Sequence, residues 1–201
     1  MKKLFLTFTA TLVLLSGIKI YSQDIQANLD AARSSYESGD LENARFALQE
    51  ALNVINLAIG QEILGMLPTS MGGMEKIVDG DNVTGTGLGF AGLFVSRSYT
   101  GENKTASIEI VGDSPMMAGI NALLALPVFM SSDPNQKRIK IGNYKALLTK
   151  STDDQDLVSY DIQLPFTNSL LTFECTGVDN ENDVVGMANS IPVDKIAKMA
   201  E

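Results

Sequence analysis

The sequence predicts an α+β protein: one antiparallel β-sheet with packed helices, preceded by an N-terminal α-helical hairpin. Residues 24–66 repeat apolar side chains at steps of three and four, the spacing of one helix face. From Leu93 onward the period becomes two, the spacing of a half-buried strand. The order there is strand, strand, helix, four strands, helix, which is not the βαβ alternation of a parallel sheet. With 201 residues, 45% hydrophobic and 19% charged, the chain can build one core plus a small appendage.

The first segment reads as an address. Met1-Lys2-Lys3 is a basic start, Leu4 to Ile20 is largely apolar, and Ile20-Tyr21-Ser22 ends on a small residue, the three-part layout of a secretory signal peptide. Ser16, Gly17 and Lys19 interrupt the run, which falls short of the ~20 apolar residues of a membrane span. Residues 1–22 are therefore expected to be removed, with no stable membrane insertion afterwards. The expected location is the bacterial periplasm or the medium. Removal takes away Lys2, Lys3 and Lys19 and no acid, so the formal charge moves from −9 to −12. Such a surface repels phosphate backbones and anionic headgroups, which argues against nucleic acid as a partner. The absence of Trp and an aromatic content of 6% argue against a carbohydrate platform or a base-stacking surface.

Residues 23–67 form the expected helical hairpin and 68–201 the α+β domain. In the second helix Leu41, Ala44, Leu48, Leu52, Ile55 and Ile59 make one apolar stripe. The first carries Ile25, Leu29, Ala32 and Tyr36 at similar steps. Ser38-Gly39-Asp40 supplies a helix stop and an N-cap, and so short a join folds the helices back on each other. Over about seventeen residues, Gly39, Leu41, Ala44, Leu48, Ala51 and Leu52 fall as they do in a tetratricopeptide repeat, which the hairpin resembles. Tyr36 stands one residue too close to the glycine, the Leu-Gly pair of the first helix is missing, and there is no second copy. A single unit cannot bury its own face, so docking on the α+β domain is expected.

Pro68 closes the helices, and PTSMGG reads as a linker. Leu93–Tyr99 and Lys104–Val111 then make a hairpin around the turn residues TGEN. Asp113-Ser114-Pro115 caps and opens a helix, MMAGINALLALPVFM, expected to stop near Pro127. Four strands follow at Arg138–Ile141, Tyr144–Lys150, Leu157–Leu164 and Ser169–Cys175, joined by Gly142-Asn143, Asp153-Asp154 and Thr167-Asn168. Helices at Glu181–Ser190 and after Pro192 end the chain.

Two motifs suggest chemistry. GTGLGFAGLFVSRSY holds G-x-G-x-x-G at Gly87, Gly89 and Gly92, but a dinucleotide turn needs a buried strand before it and a helix after it. Here the preceding stretch is polar and turn-like and the following one alternates like a strand, so the glycines read as a strand entry. Gly112-Asp113-Ser114 sits where GDSL-type esterases carry a serine nucleophile. That serine needs a histidine base, and the chain has no histidine. The same absence removes Cys–His catalysis and histidine-containing zinc sites. Ser114 or Asp113 as a helix cap suffices. The acidic loops at Asp79–Asn82, Asp153–Asp156 and Asp179–Asp183 miss the EF-hand spacing, although weak calcium binding stays open. Lone Cys175, inside LLTFECTG, reads as a buried thiol. No catalytic, metal or cofactor site is expected.

From Gly92 to Ala200 the chain resembles a family of small exported bacterial proteins of unassigned role. The resemblance is carried by Val95-Ser96-Arg97-Ser98-Tyr99, Asp113-Ser114-Pro115-Met116, Ile141-Gly142-Asn143-Tyr144-Lys145-Ala146 and Ile191-Pro192-Val193-Asp194-Lys195-Ile196. Gly142 and Asn143 are exchanged relative to the family's N-G-x-x-A. The element order is similar to a PsbP-type sandwich, whose members mostly act in assembly or binding, an analogy of fold alone.

The expected function is that of an exported, non-enzymatic binding or accessory protein of the cell envelope, held to an unknown protein partner. The alternative is a carrier of a hydrophobic ligand or lipid under the uncharged helix 116–130; a hydrolase independent of histidine comes third. The expected binding surface joins the sheet edge at Arg97 and Tyr99 to the helix start at Asp113, Ser114, Met116 and Met117. For Arg97 the bland alternative is an outward-facing side chain or a salt bridge to Asp113.

Overall fold

A computed structural model describes residues 24–85, 92–112, 114, 116–125 and 134–200. The signal-peptide reading, Gly87 and Gly89, Asp113, Pro115 and the second half of the 116–130 helix lie outside the described residues. The described residues divide into two compact units, one up to Ala58 and one from Ile59.

The first unit is the hairpin: α1 (residues 24–37) and the beginning of α2 (Leu41–Met66). Gly39 takes φ +82°, the left-handed turn that ends α1, and the Asp40 carboxylate accepts from the Asn43 backbone N–H at 3.1 Å, closing the first turn of α2. Asn43 Nδ2 also reaches Asp40 at 2.6 Å. These bonds to the anion hold the Asp40 carboxyl below its ordinary range.

α2 is continuous, yet the compact units divide within it at Ala58/Ile59, not at the 67/68 boundary read from Pro68. The reason is burial: Ile63 and Leu67 belong to the core of the second unit, with Ile59, Leu64 and Met66 packed against it.

The second unit is built on a nine-stranded sheet, antiparallel throughout. Its strands are β1 (Ser70–Met71), β2 (Met74–Lys76), β3 (Asn82–Thr84), β4 (Phe94–Thr100), β5 (Thr105–Gly112), β6 (Gln136–Ile141), β7 (Tyr144–Thr152), β8 (Val158–Pro165) and β9 (Ser169–Thr176). They lie in the order β1-β2-β4-β5-β9-β8-β7-β6, with β3 also paired to β4. The connection from β5 to β6 passes over three strands and contains α3 (Met117–Ala125). Two C-terminal helices follow, α4 (Glu181–Asn189) and α5 (Val193–Ala200).

Register separates the sheet's two faces. Ile108 lies opposite Arg97 and Phe173, and Phe173 opposite Ile162, so these residues share the inner face with Val95, Tyr99, Ile110, Leu148 and Leu171. The last turns of α2 and the apolar sides of α4 and α5 fill that face through Ile63, Val184, Met187, Val193 and Ile196. On the outer face, Ile120 and Leu124 of α3 bury themselves against Leu147 and Leu170.

Three strands were not expected. PTSMGG, read as a linker, is largely a hairpin: Gly72 and Gly73 take φ +55° and +76° between paired Met71 and Met74. Glycine enters both positions of such a two-residue turn without strain, and the Gly-Gly pair was the available signal. The turn-like stretch before the glycine-rich loop contains β3. Strands of two or three residues are too short to show a period.

Candidate functional site

The expected site divides across the sheet. β4 is no free edge, because β5 pairs with one side and β2 and β3 with the other. Arg97 and Tyr99 point into the core, exposed by 4% and 1%. Arg97 forms a bidentate pair with Asp81, Nε to Oδ1 at 2.7 Å and Nη2 to Oδ2 at 2.6 Å, and its Nη1 donates to the Leu67 carbonyl at 2.8 Å. Tyr99 Oη donates to the Pro68 carbonyl at 2.8 Å. The two side chains thus fasten the end of α2 and the β3 approach to the sheet. The bond from Arg97 lowers the Asp81 pKa, and the Asp81 bond raises that of Arg97. Burial pushes Tyr99 up to about 12. The outward orientation suggested for Arg97 is therefore corrected: the side chain faces inward and its carboxylate among the described residues is Asp81, while Asp113 lies outside them. The sequence hid this by placing Asp81 in a polar loop that reads as solvated.

Ser114, Met116 and Met117 start α3, whose packing side is the outer face. Ser114 Oγ accepts from Met116 N at 3.4 Å and its carbonyl from Met117 N at 3.2 Å, which makes it a cap. Met116 is 54% exposed, whereas Met117 packs with Ile120 and Leu124. These residues are thus separated from Arg97 and Tyr99 by the thickness of the sheet. Beneath α3 the described space is filled by Leu147 and Leu170. A recess of about 390 Å³ lies at the end of the helix, between Asn121, Leu124, Tyr144 and Lys145.

A larger recess, about 520 Å³, lies between the Gly72 turn, Lys104 and α4. Lys104 Nζ donates there to the Gly72 carbonyl, and Asn182 and Asp183 line the opposite wall. Ser70 and Ser190 also line it, and Ser190 Oγ donates to the Met187 carbonyl at 2.6 Å. The β3-to-β4 connection carries the glycine motif between two antiparallel strands, where a dinucleotide turn needs a helix to follow.

The outer face beside α3 is polar. Asp161 and Glu174 sit directly across neighbouring strands, with Glu109 on β5. Burial, then the Glu174 charge, pushes Asp161 up to about 6, and the same causes raise Glu109. Asp161 Oδ2 accepts from Gln163 at 2.8 Å, whereas buried Oδ1 has no hydrogen-bond partner among the described residues. Among those residues no three carboxylates or thiols group as metal ligands. Cys175 is buried against the core and burial raises its pKa to about 11, so it stays a thiol at neutral pH.

The remaining candidate is the hairpin face. Twelve large hydrophobic side chains are exposed among the described residues, and seven of them fall within residues 24–58. On α2 these include Leu41 at 64%, Leu48 at 49%, Leu52 at 58% and Ile55 at 39%, four members of the stripe read from the sequence. Leu29 and Tyr36 flank buried Ala32 on α1 in the same way. What the hairpin buries is alanine: Ala32, Ala44, Ala47 and Ala51. The periodicity located the stripe, whose leucines are exposed beside the buried alanines.

No helix among the described residues is long and apolar enough to cross a membrane. No family model matches the chain, and no curated protein matches it.

Proposed function

We propose that this protein is an exported, non-enzymatic accessory protein of the bacterial cell envelope that acts by holding another protein, with the helical hairpin as its contact element. The observation that carries the reading is the distribution of exposed apolar side chains. Single exposed hydrophobics are ordinary on any protein, but a row at helical spacing is an interaction surface waiting for cover. Leu41, Leu48, Leu52 and Ile55 form such a row, while the five exposed large hydrophobics of the sheet unit, Ile77, Val78, Met116, Leu123 and Leu157, are scattered over its turns and α3. Support for export comes from the layout of residues 1–22, and support for a binding role from a chain without histidine.

The test is site-specific photo-crosslinking in intact bacteria. A photoreactive residue at Leu48 or Leu52 is expected to give a discrete adduct of higher mass. The same residue at exposed Glu102, on the β4–β5 turn, is expected to give none. Identical patterns from the three positions would remove the hairpin from the function.

A further inference from the structure

We propose that the occupant of the hairpin face is a basic amphipathic α-helix of another protein; this rests on the reading of the hairpin as the contact element. The first argument is backbone chemistry. In a helix interior every N–H and C=O is already bonded along the axis, so α2 offers an incoming chain side chains only and strand addition has no purchase here. An apolar row at positions i, i+7, i+11 and i+14 is the surface another helix matches by inserting its own residues at the same spacing. From Leu41 to Ile55 the row runs about 21 Å, the length of a helix of roughly fourteen residues.

Charge then chooses among helical occupants. Residues 24–58 carry six acids, Asp24, Asp30, Glu37, Asp40, Glu42 and Glu50, against two bases, Arg33 and Arg45. Arg33 is already paired with Glu37 at 2.8 Å, within the same helix. The hairpin as a whole is therefore net negative, as is the whole chain at −9. A second copy of this hairpin would bring like charge against like charge, and an anionic membrane surface would do the same. A helix with a leucine-type stripe and Lys or Arg on its flanks satisfies both the apolar row and the net negative charge of the hairpin that carries it.

The experiment uses the full chain without its first 22 residues and two synthetic amphipathic helical peptides of about 18 residues. Both carry the same leucine stripe; one has lysine flanks and the other glutamate flanks. Calorimetric titration at low salt is expected to show the lysine peptide binding at least about tenfold more tightly than the glutamate peptide. That preference is expected to shrink as salt shortens the Debye length. Leu48→Glu with Leu52→Glu is expected to abolish binding at unchanged circular dichroism. Glu42→Lys with Glu50→Lys, which brings residues 24–58 to four acids and four bases, is expected to remove most of the preference while leaving the fold intact. Equal binding of both peptides, binding insensitive to the Leu48/Leu52 pair, or a dimer that the same pair dissolves would each overturn the proposal. If the peptides fail while the Leu48 crosslink persists, the contact element stands and the basic helix falls. If both fail, both fall.

Discussion

Arg97 shows how one charged residue in an apolar strand can be structural. Its guanidinium is desolvated, but all three nitrogens find acceptors, two on Asp81 and the others on the Leu67 and Pro68 carbonyls. Removing one member of such a pair strands the other, so Arg97→Met is expected to cost about 3 kcal/mol in denaturant unfolding. Because Asp81's pKa is depressed on folding, its contribution is present above the unfolded value of about 4 and disappears as pH falls through the lower folded value. Asp161 works in the opposite direction. Its folded pKa is raised to about 6, so its penalty grows as pH rises from about 4 to about 6 and is complete above that. Asp161→Asn is therefore expected to match the wild type near pH 4 and exceed it by about 1 kcal/mol at pH 7, a figure reduced for partial exposure. No gain at neutral pH would contradict the assignment. Gly177 offers a steric test: at φ +80°, an added Cβ would stand 2.2 Å from the Asn103 carbonyl oxygen. Gly177→Ala is expected to lose roughly 2–4 kcal/mol in the same measurement. None of these roles was legible in the sequence beyond the oddity of an arginine in a strand, because each depends on a partner that the fold brings from far along the chain.

At the scale of elements, period told most. The six long strands lie within two residues of their sequence-read bounds, and α4 and α5 start where the sequence places them, at Glu181 and just after Pro192. β1, β2 and β3 escaped because two or three residues carry no period, although Gly72-Gly73 between Met71 and Met74 was a turn signal of the right kind. The hairpin repeats the lesson differently. Spacing located the apolar stripe on α2, but which neighbour covers it is not written in spacing. The structure covers the alanine line beside it and leaves the leucines open. Substitutions should divide accordingly. Leu48→Glu is expected to change stability by no more than about 0.5 kcal/mol, as at other surface positions. Ile63→Glu, further along the same helix and fully buried, is expected to lose more than about 3 kcal/mol. Comparable losses from both, measured by chemical unfolding, would show that Leu48 is part of a core.

At the scale of the molecule, the sheet unit is acidic and built around its own core, and the short helical unit carries an exposed leucine row. In the proposed role the sheet unit is the body and the hairpin is the hand. Export is the premise, and N-terminal sequencing of the protein from bacterial envelopes is expected to begin at Gln23. A chain retaining residues 1–22 would return Lys2, Lys3 and Lys19 to the surface and undo part of the charge argument. The openness of the hairpin face in the free protein is the claim on which the proposed function and its basic partner both stand. Thiol labelling tests it most directly, because the only native cysteine, Cys175, is buried. In the purified monomer carrying Leu48→Cys, the introduced thiol is expected to react at nearly the rate of free cysteine while Cys175 stays unlabelled. Protection at position 48 as deep as that of Cys175 would mean that the chain covers its own stripe, and would contradict the account.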